Sequence, residues 1–145
     1  MFNNILMVCI GNICRSPTAE YLLKHKLAHK PGLTIHSAGL GALVDKPIDP
    51  SAGQLLSANG VDASGHAARQ VTAELLLKAD LILVMEQRHV KGITELAPHV
   101  SGKTFLLGKW SQNQAVPDPY RKSMEAFEHV YGQIDQFTND WLKYL

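Results

Sequence analysis

The sequence has little of what marks secreted, membrane-spanning or nucleic-acid-binding chains. It has two cysteines among 145 residues, Cys9 and Cys14, too few for the disulfide framework of a small secreted domain. Its first apolar run, residues 5–10, is too short for a signal peptide or a membrane span. The 14 basic and 13 acidic residues leave a net charge of +1, so we expect no nucleic-acid partner, and any anion site must be local. These absences predict a cytoplasmic protein with free thiols.

Length and composition predict one domain. With 145 residues, 46% of them hydrophobic and 19% charged, the chain suits a single domain over residues 1–145 with one substantial core. We find no linker, internal repeat or low-complexity tract.

Strand and helix signals alternate along the chain. Residues 5–8 and 81–84 are continuous apolar runs, typical of strands that are buried on both faces. Two shorter strands are predicted over residues 34–38 and 104–107, and helices are predicted after Ser16-Pro17, after Asp49-Pro50, over 72–78 and 86–96, and from Met124 to Trp141. This pattern predicts a three-layer, doubly wound α/β fold, with a parallel sheet of four strands in the order 2-1-3-4 and helices on both faces. Ligands bind such sheets at the carboxyl edge of the strands.

The most informative segment follows the first strand. It reads Cys9-Ile10-Gly11-Asn12-Ile13-Cys14-Arg15-Ser16, with five residues between the first cysteine and the arginine. The backbone N–H groups of such a loop can point inward, and a helix with Ser16 as its N-cap adds the positive end of its dipole. Gly11 and Asn12 tolerate the left-handed torsions that a curled loop needs. We therefore predict a phosphate cradle that comprises Ile10, Gly11, Asn12, Ile13, Cys14, Arg15 and Ser16.

Arg15 and Cys9 would give this cradle its chemistry. Arg15 presents a planar fork that can bind two phosphate oxygens. The positive field also favours the thiolate form of Cys9, which is a nucleophile, and Ser16 can donate its hydroxyl to the sulfur. Taken singly, the two residues would be a buried cysteine and a surface arginine. A loop that only binds phosphate is a second alternative, although the G-x-x-x-x-G-K-[ST] pattern is absent. The combination favours catalysis.

The segment from Cys9 to Ser16 resembles the phosphate loop of the low-molecular-weight protein tyrosine phosphatases, which reads C-x5-R-S. It is similar in particular to the bacterial members that accompany capsule and exopolysaccharide tyrosine kinases. That family carries its general acid in a late Asp-Pro motif, which Pro117-Asp118-Pro119-Tyr120 matches. The resemblance spans essentially the whole chain, including residues 37–39 and 66–69. It implies a protein-tyrosine-phosphatase that uses Cys9, Arg15 and Asp118, needs no metal or cofactor, and acts on a phosphotyrosine protein such as a tyrosine autokinase.

The chemistry explains why a distant carboxylic acid is needed. Tyrosine would leave as a phenolate whose conjugate acid has a pKa of about 10, so a positioned acid gains roughly 10²–10⁴-fold in rate. Asp118 lies eleven residues after Leu107, and a loop of that length can span up to about 36 Å. The resemblance implies two steps. Cys9 attacks phosphorus while Asp118 protonates the tyrosyl oxygen, and water activated by the ionised Asp118 then hydrolyses the phosphocysteine.

The resemblance also implies supporting roles. Asn12, Ser16, Ser37 and His66 look like the family's hydrogen-bond network, which stiffens the phosphate loop. Cys14 has two interpretations that both remain open. It can trap oxidised Cys9 as a reversible disulfide, or it can be a small buried residue.

The expected substrate walls are Leu40 and Tyr120. They can form an apolar slot that suits a phosphotyrosine ring better than the shorter phosphoserine. Many relatives carry an aromatic residue at the position of Leu40 and a second tyrosine at that of Arg121, so this chain departs from the family pattern where the substrate ring would stack. Ordinary loop packing is the alternative for both walls.

Three other functions match parts of the pattern. An arsenate reductase on the same fold relays electrons through further cysteines, and this chain has none after Cys14. A phosphopeptide-binding module needs neither a nucleophile nor an acid. In a phosphate-carrying cysteine domain of a sugar transport system, Asp118 would have no obvious purpose. The phosphatase is the function that uses Cys9, Arg15 and Asp118 together.

Overall fold

Four parallel strands form the centre of the fold. The computed structural model describes residues 2–145, and its strands lie in the order β2-β1-β3-β4. The order 2-1-3-4 predicted from the sequence is confirmed, and the bounds differ from the predicted ones by no more than one residue. The strands are β1 (Asn4–Cys9), β2 (Thr34–Gly39), β3 (Leu81–Val84) and β4 (Thr104–Leu106).

Helices cover both faces of the sheet, as the uninterrupted apolar strands require. Alternate residues of β1 and β3 point to opposite faces. Ile5, Met7 and Leu83 pack with the first set of helices, whereas Leu6 and Val84 pack with the second set. The first set is α1 (Arg15–Lys26), α2 (Pro50–Ala58) and α5 (Met124–Trp141), and the second is α3 (Ala73–Lys78), α4 (Gln87–Leu96) and the 3-10 segment Pro98–Lys103.

Helix starts follow the sequence signals with one exception. Asp49 caps α2 by accepting from the Ser51 N–H at 2.9 Å, and Thr72 caps α3. The predicted N-cap Ser16 is wrong, because α1 already begins at Arg15 after the N-cap residue Cys14. The hydroxyl of Ser16 bonds to side chains of the preceding loop instead. The short 3-10 segments Pro98–Lys103 and Leu142–Tyr144 were not predicted.

The end of β2 lies directly against the loop that follows β1. Leu40 and Gly41 donate their N–H groups to the carbonyls of Cys9 and Ile10 at 2.9 and 3.0 Å. A Cβ atom on Gly39 would lie 2.2 Å from the carbonyl oxygen of Ile10. Only glycine therefore permits this approach, which fixes the position of the loop. Among residues 2–145, no helix is long and apolar enough to cross a membrane.

Replacing Gly39 should displace the loop after β1. We expect Gly39→Ala to lower the free energy of unfolding by about 1–3 kcal/mol, because backbone must move to admit the methyl group. Gly132→Ala is the matched control, since a Cβ there meets nothing within 4 Å and the site is helical. The control should gain up to about 1 kcal/mol. Urea unfolding of the two variants measures both values, and equal stabilities would contradict the close approach.

Candidate active site

The loop after β1 curls around a pocket at the carboxyl edge of the sheet. The pocket has a volume of about 190 Å³. Its floor is formed by the segment from Cys9 to Arg15, and its walls come from two other loops. The wall residues are Gly41, Leu43, Asp118 and Tyr120.

The carbonyl groups of this loop bond to the surrounding chain. Each carbonyl from residue 9 to residue 14 accepts a hydrogen bond from outside the loop. The donors, in that order, are the N–H groups of Leu40, Gly41 and Leu43, the ring of His66, the N–H of Asp49, and the N–H and hydroxyl of Thr18. Because a trans peptide holds its N–H opposite to its carbonyl, the N–H groups of residues 10–15 are turned toward the interior of the loop. The start of α1 points at the same place, so the arrangement suits an anion.

Cys9 lies at the base of the pocket beside a hydroxyl group. Its Sγ is 2.8 Å from Oγ of Ser16, and both residues are buried. Asn12 donates its amide N–H to the same Oγ at 2.8 Å, so the hydroxyl hydrogen of Ser16 is available to the sulfur. The Ser16 hydroxyl is thus placed to donate to a thiolate at this position.

Asn12 fixes a left-handed bend in the loop. Its φ of 59° lies in the left-handed region, as the sequence predicted, whereas Gly11 does not adopt a positive φ. The side chain is fully buried, donates to Ser37 Oγ at 2.9 Å as well as to Ser16, and accepts from the N–H of Arg69. Asparagine tolerates this backbone conformation and its amide bonds hold the bend in place.

The predicted supporting residues meet around Asn12. The His66 Nε2 bonds to the Asn12 carbonyl at 2.6 Å, and Ser37 donates its hydroxyl to Glu20 at 2.6 Å. Glu20 and Arg69 were not predicted from the sequence as members of this network. Arg69 donates its Nε–H to the Ser37 carbonyl at 2.9 Å. The network therefore joins the loop to α1, to β2 and to the segment before α3.

Arg15 is almost completely buried and is held by two acceptors. Its Nη1 donates to Oε2 of Glu86 at 2.5 Å and to the carbonyl of Val116 at 2.9 Å, which leaves Nη2 facing Asp118. Partial burial alone would raise the pKa of Glu86, but the hydrogen bonds from Arg15 and Arg88 hold that pKa below its usual value. Glu86 was missed from the sequence, although it lies two residues after β3, at the same carboxyl edge.

Asp118 lies on the wall of the pocket that contains Cys9. Its Oδ2 is 3.9 Å from Nη2 of Arg15, and its Oδ1 accepts from the Tyr120 N–H at 3.0 Å. The side chain is 44% exposed, so its free oxygen can meet a group that enters the pocket. The long loop after β4 thus brings the carboxyl group to the sheet edge as predicted from the sequence.

One of the two expected walls is misplaced. Tyr120 lines the pocket, and the guanidinium of Arg121 lies over its ring at 5.3 Å from the centroid. Leu40 does not line the pocket, because it packs toward Gly92 and the core on the α4 face of the sheet. Leu43, three residues later and 42% exposed, takes that place.

Cys14 is a buried free thiol in the floor of the pocket, at the N-cap of α1. Burial, together with the negative charge of Asp49, raises the pKa of Cys14 well above its usual value. The thiol is therefore protonated at neutral pH, in a setting opposite to that of a reactive cysteine.

His89, in the first turn of α4, is a buried titratable group that the sequence did not single out. Its ring is fully buried, and burial together with the charge of Arg15 lowers its pKa to about 4. The imidazole is consequently neutral at physiological pH. Glu86 and Asp118 oppose this shift without overcoming it.

Comparison with known proteins gives matches along essentially the whole chain. Residues 4–145 match the family described as low molecular weight phosphotyrosine protein phosphatase. The low molecular weight protein-tyrosine-phosphatase Etp of Escherichia coli K12 is 49% identical over 144 residues, which cover 99% of this chain and 95% of Etp. The crystal structure of Erwinia amylovora tyrosine phosphatase AmsI has a TM-score of 0.95 at 46% identity, covering 100% of this chain and 94% of AmsI. Vibrio vulnificus Wzb in complex with benzylphosphonate has a TM-score of 0.95 at 45% identity, with 100% of both chains covered.

The neutral, buried His89 should make the fold sensitive to acid. The unfolded chain takes up a proton on this residue near pH 6.5, whereas the folded chain does so only near pH 4. The unfolded state therefore binds more protons in this window, and the free energy of unfolding falls as the pH drops from 6.5 to 4, by about 3 kcal/mol from this group alone. In His89→Gln, which cannot titrate, the loss over this range should be smaller by that amount. Urea unfolding at pH 7 and pH 4 measures it, and equal losses in the two proteins would refute the assignment.

Proposed function

This chain belongs to the low molecular weight phosphotyrosine protein phosphatase family, and we propose that it hydrolyses phosphotyrosine through a phosphocysteine formed on Cys9. One observation carries the proposal. The buried Cys9 sulfur lies at the base of a pocket into which the loop's N–H groups are directed, and Arg15 and Asp118 meet within that pocket at 3.9 Å. A nucleophile, an anion clamp and an acid are thus within reach of one bound group.

The phosphate dianion would bind within the loop. The N–H groups of residues 10–15 can each donate to its oxygens, and Arg15 can turn its guanidinium toward phosphate to offer Nη2, which neither Glu86 nor Val116 holds. Charge spread over the equatorial oxygens in the transition state meets these same donors. Since the backbone donors are fixed before substrate arrives, they need little reorganisation during the reaction.

In the first step the Cys9 thiolate attacks phosphorus. The sulfur–phosphorus bond forms as the bond from phosphorus to the tyrosyl oxygen breaks, and protonated Asp118 transfers its proton to that oxygen. The substrate's tyrosine side chain leaves without its phosphate, and the enzyme holds a phosphocysteine. The Ser16 hydroxyl, 2.8 Å from the sulfur, stabilises the thiolate before attack and again when it is regenerated.

In the second step the ionised Asp118 takes a proton from water as the water oxygen attacks phosphorus. The sulfur–phosphorus bond breaks, the electron pair returns to Cys9 as thiolate, and phosphate is released. Both steps use protein side chains and water alone. The same carboxyl group acts as acid in one step and as base in the other, which requires it to remain in contact with solvent.

The walls of the pocket favour an aromatic phosphate. Tyr120 and Leu43 stand on the rim above the loop, where they can contact the ring of phosphotyrosine, whereas phosphoserine would leave this apolar surface uncovered. Vibrio vulnificus Wzb, 45% identical to this chain, was solved with benzylphosphonate, which joins an aromatic ring to a phosphate-like group. That complex supports an aryl substrate here.

The physiological substrate we propose is a tyrosine autokinase of capsule or exopolysaccharide export, met in the cytoplasm. The support is the likeness of the chain to the bacterial branch of the family that accompanies such kinases. A kinase that phosphorylates its own tyrosines needs a phosphatase to reverse the modification, and an open pocket with an exposed rim can receive a phosphotyrosine on a protein surface.

Changes at Cys9 and Asp118 should affect catalysis differently. Cys9→Ser should abolish hydrolysis of phenyl phosphate with excess chelator present, whereas Asp118→Asn should reduce kcat by roughly 10²–10⁴-fold. The Asp118→Asn defect should shrink for an aryl phosphate whose phenol is much more acidic, because such a phenolate leaves without a proton. Asp62→Asn, a carboxylate outside the pocket, is the control and should retain wild-type rates. Turnover by Cys9→Ser would eliminate the mechanism.

A matched leucine pair tests the substrate wall. Leu43→Ala should raise KM for aryl phosphates while leaving the inhibition constant for inorganic phosphate unchanged, since Leu43 would contact only the ring. Leu40→Ala should instead destabilise the fold by about 1–3 kcal/mol, because Leu40 is partly buried against the core on the α4 face, with an unchanged KM. Steady-state kinetics and urea unfolding separate the two effects, and the reverse pattern would restore Leu40 as the wall.

A further inference from the structure

Only one of the two ring nitrogens of His89 forms hydrogen bonds among the described residues. Its Nδ1 accepts from the N–H groups of Met85 and Glu86 at 3.4 and 3.3 Å, just after β3 ends. Because Nδ1 is an acceptor and the ring is neutral, the ring hydrogen resides on Nε2. The first edge therefore secures the start of α4, and the second edge carries a donor.

The donor on the second edge is buried and unpaired. Nε2 has no hydrogen-bond partner among residues 2–145 and is inaccessible to solvent. It lies 3.7 Å from Oε2 of Glu86, the oxygen that also accepts from Arg15 and Arg88. Buried unpaired donors are uncommon because they cost free energy, so one that faces the ion pair behind the phosphate loop requires an explanation.

We propose that His89 is a positioning residue of the phosphate site, whose Nε2–H takes over the Glu86 carboxylate when Arg15 turns toward a bound oxyanion. Nη1 of Arg15 lies 2.5 Å from Oε2 of Glu86. As Arg15 shifts its guanidinium toward phosphate, the carboxylate needs to move by only about 0.8 Å to reach hydrogen-bond distance from Nε2. His89 thereby lowers the cost of separating Arg15 from Glu86. This inference rests on the proposed function.

The charges around the ring keep this donor neutral. Arg15 faces it from α1 and Arg88 from α4, and both oppose protonation, whereas Glu86 and Asp118 favour it less effectively. A protonated ring would bind Glu86 permanently and add a second cation behind Arg15. A neutral N–H is strong enough to replace a lost bond and weak enough to release the carboxylate when phosphate departs.

Two substitutions distinguish the role of the Nδ1 acceptor from that of the Nε2 donor. The oxygen of asparagine can stand near Nδ1, so His89→Asn keeps the acceptor at the start of α4 and loses the donor. The amide nitrogen of glutamine can stand near Nε2, so His89→Gln keeps the donor. A merely structural role predicts that the asparagine variant retains activity, whereas the proposal predicts that the glutamine variant does.

The test measures the inhibition constant for inorganic phosphate and kcat/KM for an aryl phosphate in both variants. We expect His89→Asn to raise the inhibition constant for phosphate about tenfold and to lower kcat/KM about tenfold, the equivalent of one hydrogen bond to a charged group. His89→Gln should remain within a factor of two to three of wild type in both. In a Glu86→Gln background, His89→Asn should have no further effect because it acts through that carboxylate. Wild-type kinetics in His89→Asn, or a loss that persists in the Glu86→Gln background, would overturn the proposal.

A measurement on the wild-type protein covers the case in which His89→Asn does not fold. With ¹⁵N-labelled histidine, saturating phosphate should move the Hε2 resonance of His89 downfield as it becomes hydrogen-bonded, and an unmoved resonance would overturn the proposal. Failure of the proposed function would look different. In that case wild type itself would not hydrolyse aryl phosphates, or Cys9→Ser would still do so.

Discussion

The site depends on the outward bonding of one row of carbonyl groups. A six-peptide curl with its N–H groups converging would be unstable by itself, since aligned dipoles repel and nothing in the loop satisfies its carbonyls. Here each carbonyl from Cys9 to Cys14 finds a donor in a neighbouring segment. The fold therefore holds the loop open from outside, and the convergent N–H groups are available to an anion at no further conformational cost. The need for glycine at position 39 and the bend at Asn12 both follow from this requirement that the loop carbonyls bond outward.

The buried Arg15 imposes a second constraint. A guanidinium taken from water needs a counter-charge, and Glu86 supplies it with good geometry. The same carboxylate also weakens the positive field that phosphate experiences. Binding then relies more on backbone N–H groups than on net charge, which suits a site that must release inorganic phosphate after each turnover. An unpaired Arg15 would bind both substrate and product more tightly, and tight binding common to both would not speed the chemical step.

The sequence predicted what depends on local pattern and missed what depends on three-dimensional proximity. Buried runs such as residues 81–84 and caps such as Asp49 are readable because strand burial and capping are local effects. The C-x5-R spacing predicted the loop, and the resemblance to the family pointed to Asp118 in the late Asp-Pro motif. Ser16 misled as a cap because its hydroxyl has a competing partner in Cys9, and Leu40 misled as a wall because the chain turns inward there toward Gly92. Glu86 and His89 were missed, since their roles arise only when β3 lies beside β1.

That last pairing explains why the parallel sheet suits this chemistry. Adjacent parallel strands end at the same edge, so the residue after β1 and the residues after β3 are brought together by backbone hydrogen bonds alone. Cys9 and Arg15 come from the first of these connections, and Glu86 and His89 come from the second. The Cys9 loop and the groups behind Arg15 are thus fixed by one strand pair, and only the carboxyl group of Asp118 arrives on a long loop. In the proposed mechanism, the group that exchanges protons with substrate and water is the solvent-exposed one, whereas the groups that hold a tetrahedral anion follow directly from the strands of the sheet.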